Sequence, residues 1–263
     1  MVSSPVTVDG LVGALLRGDP SRPAVTWVDP PSGARVELSV ATLANWVAKT
    51  GGLLQDGLEV TAGDRVRLSM PSHWLTVTWA LACWTVGAVV EPADHAGGPA
   101  DPAPQVEVFA DDVPPRTTAR GVVVGLGPFG GPARPLSGVA VPAGTVDAGA
   151  EVLGYPDRLV TYDPPDGDSP ALASGPHLLD QRSLLDHASQ AVSRHGLPPG
   201  GRLLAAAPPA TLAGLVESVL APLTANGSVL LVTDRPGLTG DDLRALVDRE
   251  QVDVVAVPAA ASA

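Results

Sequence analysis

The chain has 263 residues, 28 of them acidic and 16 Lys or Arg, for a net charge of −12, and one cysteine, Cys83. That balance repels polyanions, which argues against nucleic acid and anionic membrane as partners, and a lone thiol excludes an internal disulfide framework and suits a reducing compartment. The first nine residues contain neither a basic n-region nor an apolar h-region, so no secretory signal is read and a cytoplasmic location is expected.

In chain order, Val8 to Leu16 has the apolar spacing of a helix. Ala24–Val28 and Arg35–Leu38, separated by Pro-Pro-Ser-Gly, read as a β-hairpin. Ser39 precedes a second helical pattern, Thr42 to Leu54, with Gly57 just past its end. Val66–Met70 is a strand, Trp74–Val86 a helix closed by Gly87, and Val89–Val90 opens the next strand. This strand–helix–strand order predicts a parallel sheet with right-handed crossovers. Leu75 to Val90 carries no charge but falls short of the roughly 20 residues a spanning helix needs, so it reads as a buried helix running into a strand. Gly and Pro concentrate between Pro92 and Pro170, a loop-rich interval with short strands at Val106–Ala110 and Val122–Val124. Order returns at Arg158–Tyr162. Helix Ser183–His195, strand Leu203–Ala206, helix Leu212–Leu223, strand Val229–Val232, helix Leu238–Glu250 and strand Val254–Val257 follow. The fold class is α/β, layered β/α repeats on a largely parallel sheet. A single domain over 1–263 is expected, in three stretches: 1–92, the loop-rich 93–170, and 171–263.

Several motifs invite chemistry. Gly125-Leu-Gly-Pro-Phe-Gly130 matches GxGxxG after a strand, but the following Gly131-Pro-Ala-Arg-Pro135 cannot build the helix whose N-terminus would face a pyrophosphate. Asp163, Asp166 and Asp168 cluster in a proline-rich turn, yet position 174, where the bidentate glutamate of an EF-hand would fall, is Ser174, and a solvated turn is the simpler reading. The histidines, His73, His95, His177, His187 and His195, show no HExxH spacing, one cysteine cannot complete a thiolate zinc site, and no GxSxG elbow is present. No metal is expected. Trp46, Trp74, Trp79 and Trp84 fit either a pocket lining or, more simply, the core.

The succession Leu38-Ser-Val-Ala-Thr-Leu-Ala-Asn45, Val60-Thr-Ala-Gly-Asp-Arg-Val66, Met70-Pro-Ser-His-Trp74 and Ala82-Cys-Trp-Thr-Val-Gly-Ala-Val-Val-Glu-Pro92 resembles the opening of the acyl-adenylate-forming, AMP-binding superfamily of acyl-CoA synthetases, peptide synthetase adenylation domains and luciferase. Gly201-Arg-Leu-Leu-Ala-Ala-Ala-Pro208, Pro222-Leu-Thr-Ala-Asn-Gly-Ser-Val-Leu-Leu231 and Val252-Asp-Val-Val-Ala-Val-Pro258 resemble segments after that family's phosphate loop. The likeness runs from about Val8 to Pro258. It implies that Ala171–Asp180 corresponds to the Ser/Thr/Gly-rich loop ending in Pro-Lys-Gly that cradles ATP phosphates. Only Ser174 and Gly175 resemble that loop, as a remnant cofactor-binding pair. The Thr-Thr-Gly core and the lysine are missing, and Asp180 brings a charge that repels phosphate. Lys49, the only lysine, lies on an early helix and matches neither functional lysine of the family, and no catalytic residue is carried over.

The resemblance therefore implies a truncated, degenerate member, with Arg-rich, Lys-poor composition of an actinobacterial, high-GC type, lacking the later part with its C-terminal lysine-bearing domain. A non-catalytic binding or regulatory module is expected first, with no cofactor required. Alternatives are a divergent ligase-like half-enzyme completed by another chain, in which Arg182 or Arg202 replaces the lost lysine charge at Mg-ATP or AMP, and a binding protein for a small acyl or nucleotide ligand in the tryptophan region. A homodimer, or a partner protein covering the sheet, is a further expectation.

Overall fold

The computed structural model describes residues 5–93, 102–134, 141–174, 177–205, 211–233 and 240–256. Helix α1, Val8–Gly18, is capped by the Thr7 hydroxyl, which accepts from the Gly10 amide. Strands β1, Pro23–Asp29, and β2, Ala34–Ser39, form the hairpin expected from their spacing. Helix α2, Val40–Gly52, starts where the Ser39 hydroxyl accepts from the Thr42 amide, and its last residues run into a wide π-helical turn, Leu53–Gly57. Strand β3, Arg65–Ser69, helix α3, Trp74–Thr85, and strand β4, Val89–Pro92, make the βαβ unit, with β3 and β4 parallel. Gly87, at φ +80°, turns the chain between α3 and β4, a backbone conformation that L side chains rarely adopt.

Strands β5, Val106–Ala110, and β6, Arg120–Val124, continue this sheet in parallel. A two-residue strand β7, Val146–Asp147, and a short helix α4, Ala148–Glu151, lie within the interval read as loop-rich. Strands β8, Pro170–Ser174, and β9, His177–Asp180, form an antiparallel hairpin before helix α5, Gln181–His195. Strand β10, Arg202–Ala205, then precedes one long irregular helix. That helix begins as α6, Leu212–Gly214, widens to π geometry over Leu215–Leu220 and ends as α7, Ala221–Thr224. Strand β11, Ser228–Val232, helix α8, Gly240–Arg249, and strand β12, Val254–Ala256, complete the order.

The strands build two sheets, in the orders β7-β6-β5-β3-β4-β8-β9 and β12-β10-β11-β1-β2. Each is parallel apart from a hairpin at one edge, β8–β9 in the larger and β1–β2 in the smaller. The early hairpin joins the late strands, because β1 pairs with β11 in the register Val25↔Val229. Every residue of α3 is buried. A helix that is apolar around its whole circumference can only sit in the interior, and α3 packs against strands of both sheets and against α1 and α2. Two of its hydroxyls are satisfied within the helix, Thr78 and Thr85 donating to the Trp74 and Leu81 carbonyls, and the Trp84 indole donates across to the Ala171 carbonyl at 2.8 Å. Helix α8 covers the other face of the smaller sheet through a separate cluster of Val28, Leu204, Leu230 and Leu246.

Arg158–Tyr162 form neither helix nor strand. The order there comes from side-chain pins on α2 and the π-helical turn after it: Lys49 donates to the Tyr155 carbonyl at 2.6 Å and meets Asp157 at 3.0 Å, and Gln55 bonds the Val160 carbonyl and the Tyr162 amide. Gly52 lets Tyr155 lie against the helix, since a Cβ there would stand 2.8 Å from the ring. Among the described residues no helix is long and apolar enough to cross a membrane.

Candidate functional site

The segment Ala171–Asp180, expected from the resemblance to stand in the place of a phosphate loop, lies in the antiparallel pair β8–β9. Leu172 pairs with Leu179, Ala173 with Leu178 and Ser174 with His177, so two residues of sequence, Gly175 and Pro176, connect the strands. Ser174 ends β8, while Gly175 lies outside the described residues. Where α5 begins, an anion would ordinarily find free amides. Here the Asp180 carboxylate accepts from the Ser183 amide at 2.7 Å, and that backbone bond, with the Ser183 hydroxyl, holds its carboxyl below the ordinary aspartate value. Gln181 fixes this helix end in depth. It is fully buried, accepting from the Val8 amide and donating to the Trp84 carbonyl, both at 3.0 Å, so one side chain ties α5 to α1 and to the end of α3.

Of the two arginines weighed as phosphate ligands, Arg202 stands away from this hairpin, while Arg182 lies in the first turn of α5 near Asp180. Lys49 is engaged with Tyr155 and Asp157 on α2. Arg202 donates to the Thr26 hydroxyl at 2.6 Å and to Glu250 at 3.2 Å, in a cluster on the smaller sheet that includes Arg35 and Glu37. Arg182 is exposed and meets Asp168 at 3.4 Å. Asp166, in the same turn, accepts from the Ser169 hydroxyl and the Asp168 amide, with Asp163 a few residues before it. Among the described residues no group of three or more His, Cys, Asp or Glu could hold a metal ion. His95 lies outside the described residues. His73 caps α3, its Nδ1 accepting from the Leu75 amide, with Trp27 edge-on at 4.4 Å, and burial pulls its pKa down to about 3. Burial likewise pushes the Cys83 thiol up.

The tryptophans serve both expected roles. Trp74, Trp79 and Trp84 all belong to the core, and Trp79 together with the half-buried Trp46 also lines a cavity of about 280 Å³ with Thr50, Leu75, Val124 and Val152. The loop from Gly125 to Gly131 closes one side. The Trp74 indole donates to the Pro128 carbonyl at 3.0 Å, and Gly130, at φ +68°, settles over Trp46, Trp74 and Leu75. The other wall is α4, held by Asp147, whose carboxylate accepts from the Gly149, Ala150 and Ala133 amides. Gly149 packs so closely that a Cβ would overlap the Gly131 carbonyl. The GxGxxG signal therefore reflects close backbone approach around an apolar cavity. Sequence reasoning found its glycines and two of its tryptophans but missed α4 and Phe129.

Sequence reasoning also missed a buried charge row across the centre of the larger sheet. Arg67 on β3 stands beside Glu91 on β4 and Glu107 on β5. Arg67 forms a close ion pair with Glu91, and Arg65 reaches the same carboxylate at 3.7 Å. Glu107 is fully buried and accepts from the hydroxyls of Ser69 and Thr117 and from the amides of Arg116 and Thr117. Burial raises its pKa, and these hydrogen bonds more than reverse the effect, leaving the carboxyl below its ordinary value. Four donors on one carboxylate make this a structural anchor that ties the 111–119 connection to the sheet.

Two β/α sheets packed around a buried helix, with a hairpin leading into α5, make the fold that of adenylate-forming enzyme domains. An acyl-CoA synthetase of Brucella canis superimposes with a TM-score of 0.69 at 20% identity, over 93% of this chain and 49% of that one. The nonribosomal peptide synthetase FmoA3 gives 0.66 at 21% identity, and its AMPPNP-bound form 0.67 at 20%, each over 95% of this chain and 25% of that one. The chain thus spans about half the length of the first of these enzymes and a quarter of the second. No protein-family model matches it. A TIGR03089 family protein of Mycobacterium tuberculosis is 34% identical over 238 residues, 89% of this chain and 92% of that protein. The chain belongs to the TIGR03089 family.

Proposed function

We propose that the chain is a non-catalytic binding module built on the adenylate-forming scaffold, acting in the cytoplasm without ATP, AMP or magnesium as a cofactor. The β8–β9 hairpin carries this reading. A tripolyphosphate needs several converging amides and hydroxyls and a mobile cation. The Ser174↔His177 pairing leaves Gly175 and Pro176 as the connection, and proline has no amide to offer. Asp180 fills the cap of the next helix with a negative charge, and the lone lysine is used on α2. On this reading Ser174 and Gly175 are a vestige of the phosphate loop.

Thermal unfolding with and without Mg-ATP and AMP tests it. A ligand at about 100 times its Kd stabilises by roughly 2.7 kcal/mol, which for a chain of this size moves Tm by about 5–10 °C. Neither nucleotide is expected to move it, and no ATP–pyrophosphate exchange is expected across a panel of carboxylic acids. A saturable shift with either nucleotide, or exchange above background, sinks the proposal.

A module of this kind acts through a partner. The short strand β12 pairs with β10 on one side and with no other described strand, and Val255 on it is partly exposed. A second copy or another protein adding a strand at this edge is the mode the geometry favours. A mass that stays monomeric in light scattering up to high micromolar concentration counts against self-pairing.

A further inference from the structure

We propose that the cavity between α2, α3, α4 and the 125–131 loop is a binding site for a small uncharged ligand, an aromatic ring or a short acyl chain, with one polar atom placed at the Thr50 hydroxyl. This deepens the binding-module reading and rests on it for its biological sense. The geometry of the site stands apart from the nucleotide question, because every lining residue falls between Trp46 and Leu153, upstream of the β8–β9 hairpin.

The size fits such a ligand. The cavity holds about 280 Å³, whereas an apolar cavity of about 150 Å³ already accepts a benzene ring and drug-sized ligands begin at about 300 Å³. The chemistry of the walls restricts it further. Trp46, Trp79, Leu75, Val124 and Val152 offer ring faces and methyl groups, and no charged side chain lines the space. A carboxylate inside would lose its hydration without a cation in return, within a chain of net charge −12.

Thr50 is the polar exception. The residue is 1% exposed and faces the cavity, yet its hydroxyl makes no hydrogen bond among the described residues. Thr78 and Thr85 on the neighbouring α3 satisfy theirs by donating to the carbonyl four residues back. Buried hydroxyls are ordinarily hydrogen-bonded, so an open one at the wall of an apolar cavity marks where a ligand's polar atom belongs. The mouth agrees with the interior. Phe129 and Leu153 line it while standing 82% and 62% exposed, large apolar groups held in water beside an apolar space.

The test uses the full chain, tryptophan emission and Tm, with 4-ethylphenol, ethylbenzene, 1-octanol and octanoate as probes and Mg-ATP alongside. Saturable quenching is expected with the neutral probes, with octanoate binding at least about tenfold more weakly than octanol because its charge stays unpaired. Ala148→Leu fills the space from α4 and should weaken every neutral probe by about tenfold or more, in line with the shape-dependence of cavity binding. Should that variant melt early, Thr50→Val gives the second reading: it should weaken 4-ethylphenol by about fivefold, the worth of one hydrogen bond, and leave ethylbenzene unchanged. Absence of saturable quenching by the neutral probes, or equal loss of both aromatic probes in Thr50→Val, overturns the assignment. A thermal shift by Mg-ATP that persists in Ala148→Leu would sink the preceding reading and leave the cavity assignment to the neutral probes.

Discussion

Replacing Gln181 by leucine removes a side chain that bridges three helices and adds nothing polar in return. The residue is fully buried, and its amide satisfies the Val8 N–H and the Trp84 carbonyl, each at 3.0 Å. In Gln181→Leu the Val8 amide loses its partner inside the core, whereas the Trp84 carbonyl loses one of two donors and keeps the Gly87 amide at 3.3 Å. An unsatisfied buried amide costs about 1–3 kcal/mol, the second hydrogen bond lost at Trp84 about 1 kcal/mol, and the added apolar burial returns about 1 kcal/mol. A net loss of about 1–3 kcal/mol is expected, a sizeable share of the roughly 5–15 kcal/mol that holds a domain together. Urea unfolding should show a lower midpoint with an unchanged slope, and amide exchange at Val8 should quicken ahead of the rest of α1. A loss below about 1 kcal/mol with Val8 still protected would refute the bridge, because it would mean that the helix ends find other partners at no cost.

The remaining predictions concern pH and the glycine loop. His73 has a folded pKa of about 3 against an ordinary 6.5, so the unfolded chain binds the extra proton. Its contribution is complete above pH 6.5 and is lost as pH falls toward 3, at a slope approaching about 1.4 kcal/mol per pH unit. His73→Asn keeps a capping acceptor for the Leu75 amide and should flatten that slope between pH 6.5 and 5 in denaturation series; equal slopes in both proteins would discard the assignment. Gly149→Ala drives a methyl into the Gly131 carbonyl, should cost about 1–3 kcal/mol, and should speed proteolysis within residues 125–134. Unchanged stability together with unchanged cleavage would mean that the loop shifts freely.

Most helices and strands were legible because their signals are local. The uncharged run through α3 announced its burial, Ser39 and Gly87 marked element ends, and the β3–α3–β4 order announced a parallel sheet. What escaped depends on partners distant in sequence. Nothing between Ala24 and Leu38 says that β1 will lie beside Val229 rather than beside β3. Leu178-Leu179 lies next to a capping aspartate and reads as a loop, and only the ladder with β8 makes it a strand. Glu91 and Glu107 look like surface charges until register sets them on either side of Arg67. The cavity was half legible: its tryptophans and glycines were visible as separate motifs, and the fold brings them to one place.

The parallel ladder between β1 and β11 also governs the order of events on the ribosome. Val25 cannot meet Val229 until the roughly 200 residues between them have been made. At about 5–20 residues per second, the β1–β2 hairpin waits on the order of ten seconds or more with one long edge open. Two strands alone are marginal in water. During that interval the nascent hairpin has Trp27 and Val25 without their final cover, and other chains can compete for the open edge. The larger sheet, built from a continuous stretch of sequence from β3 to β9, can close first and offer the surface on which the smaller one is assembled.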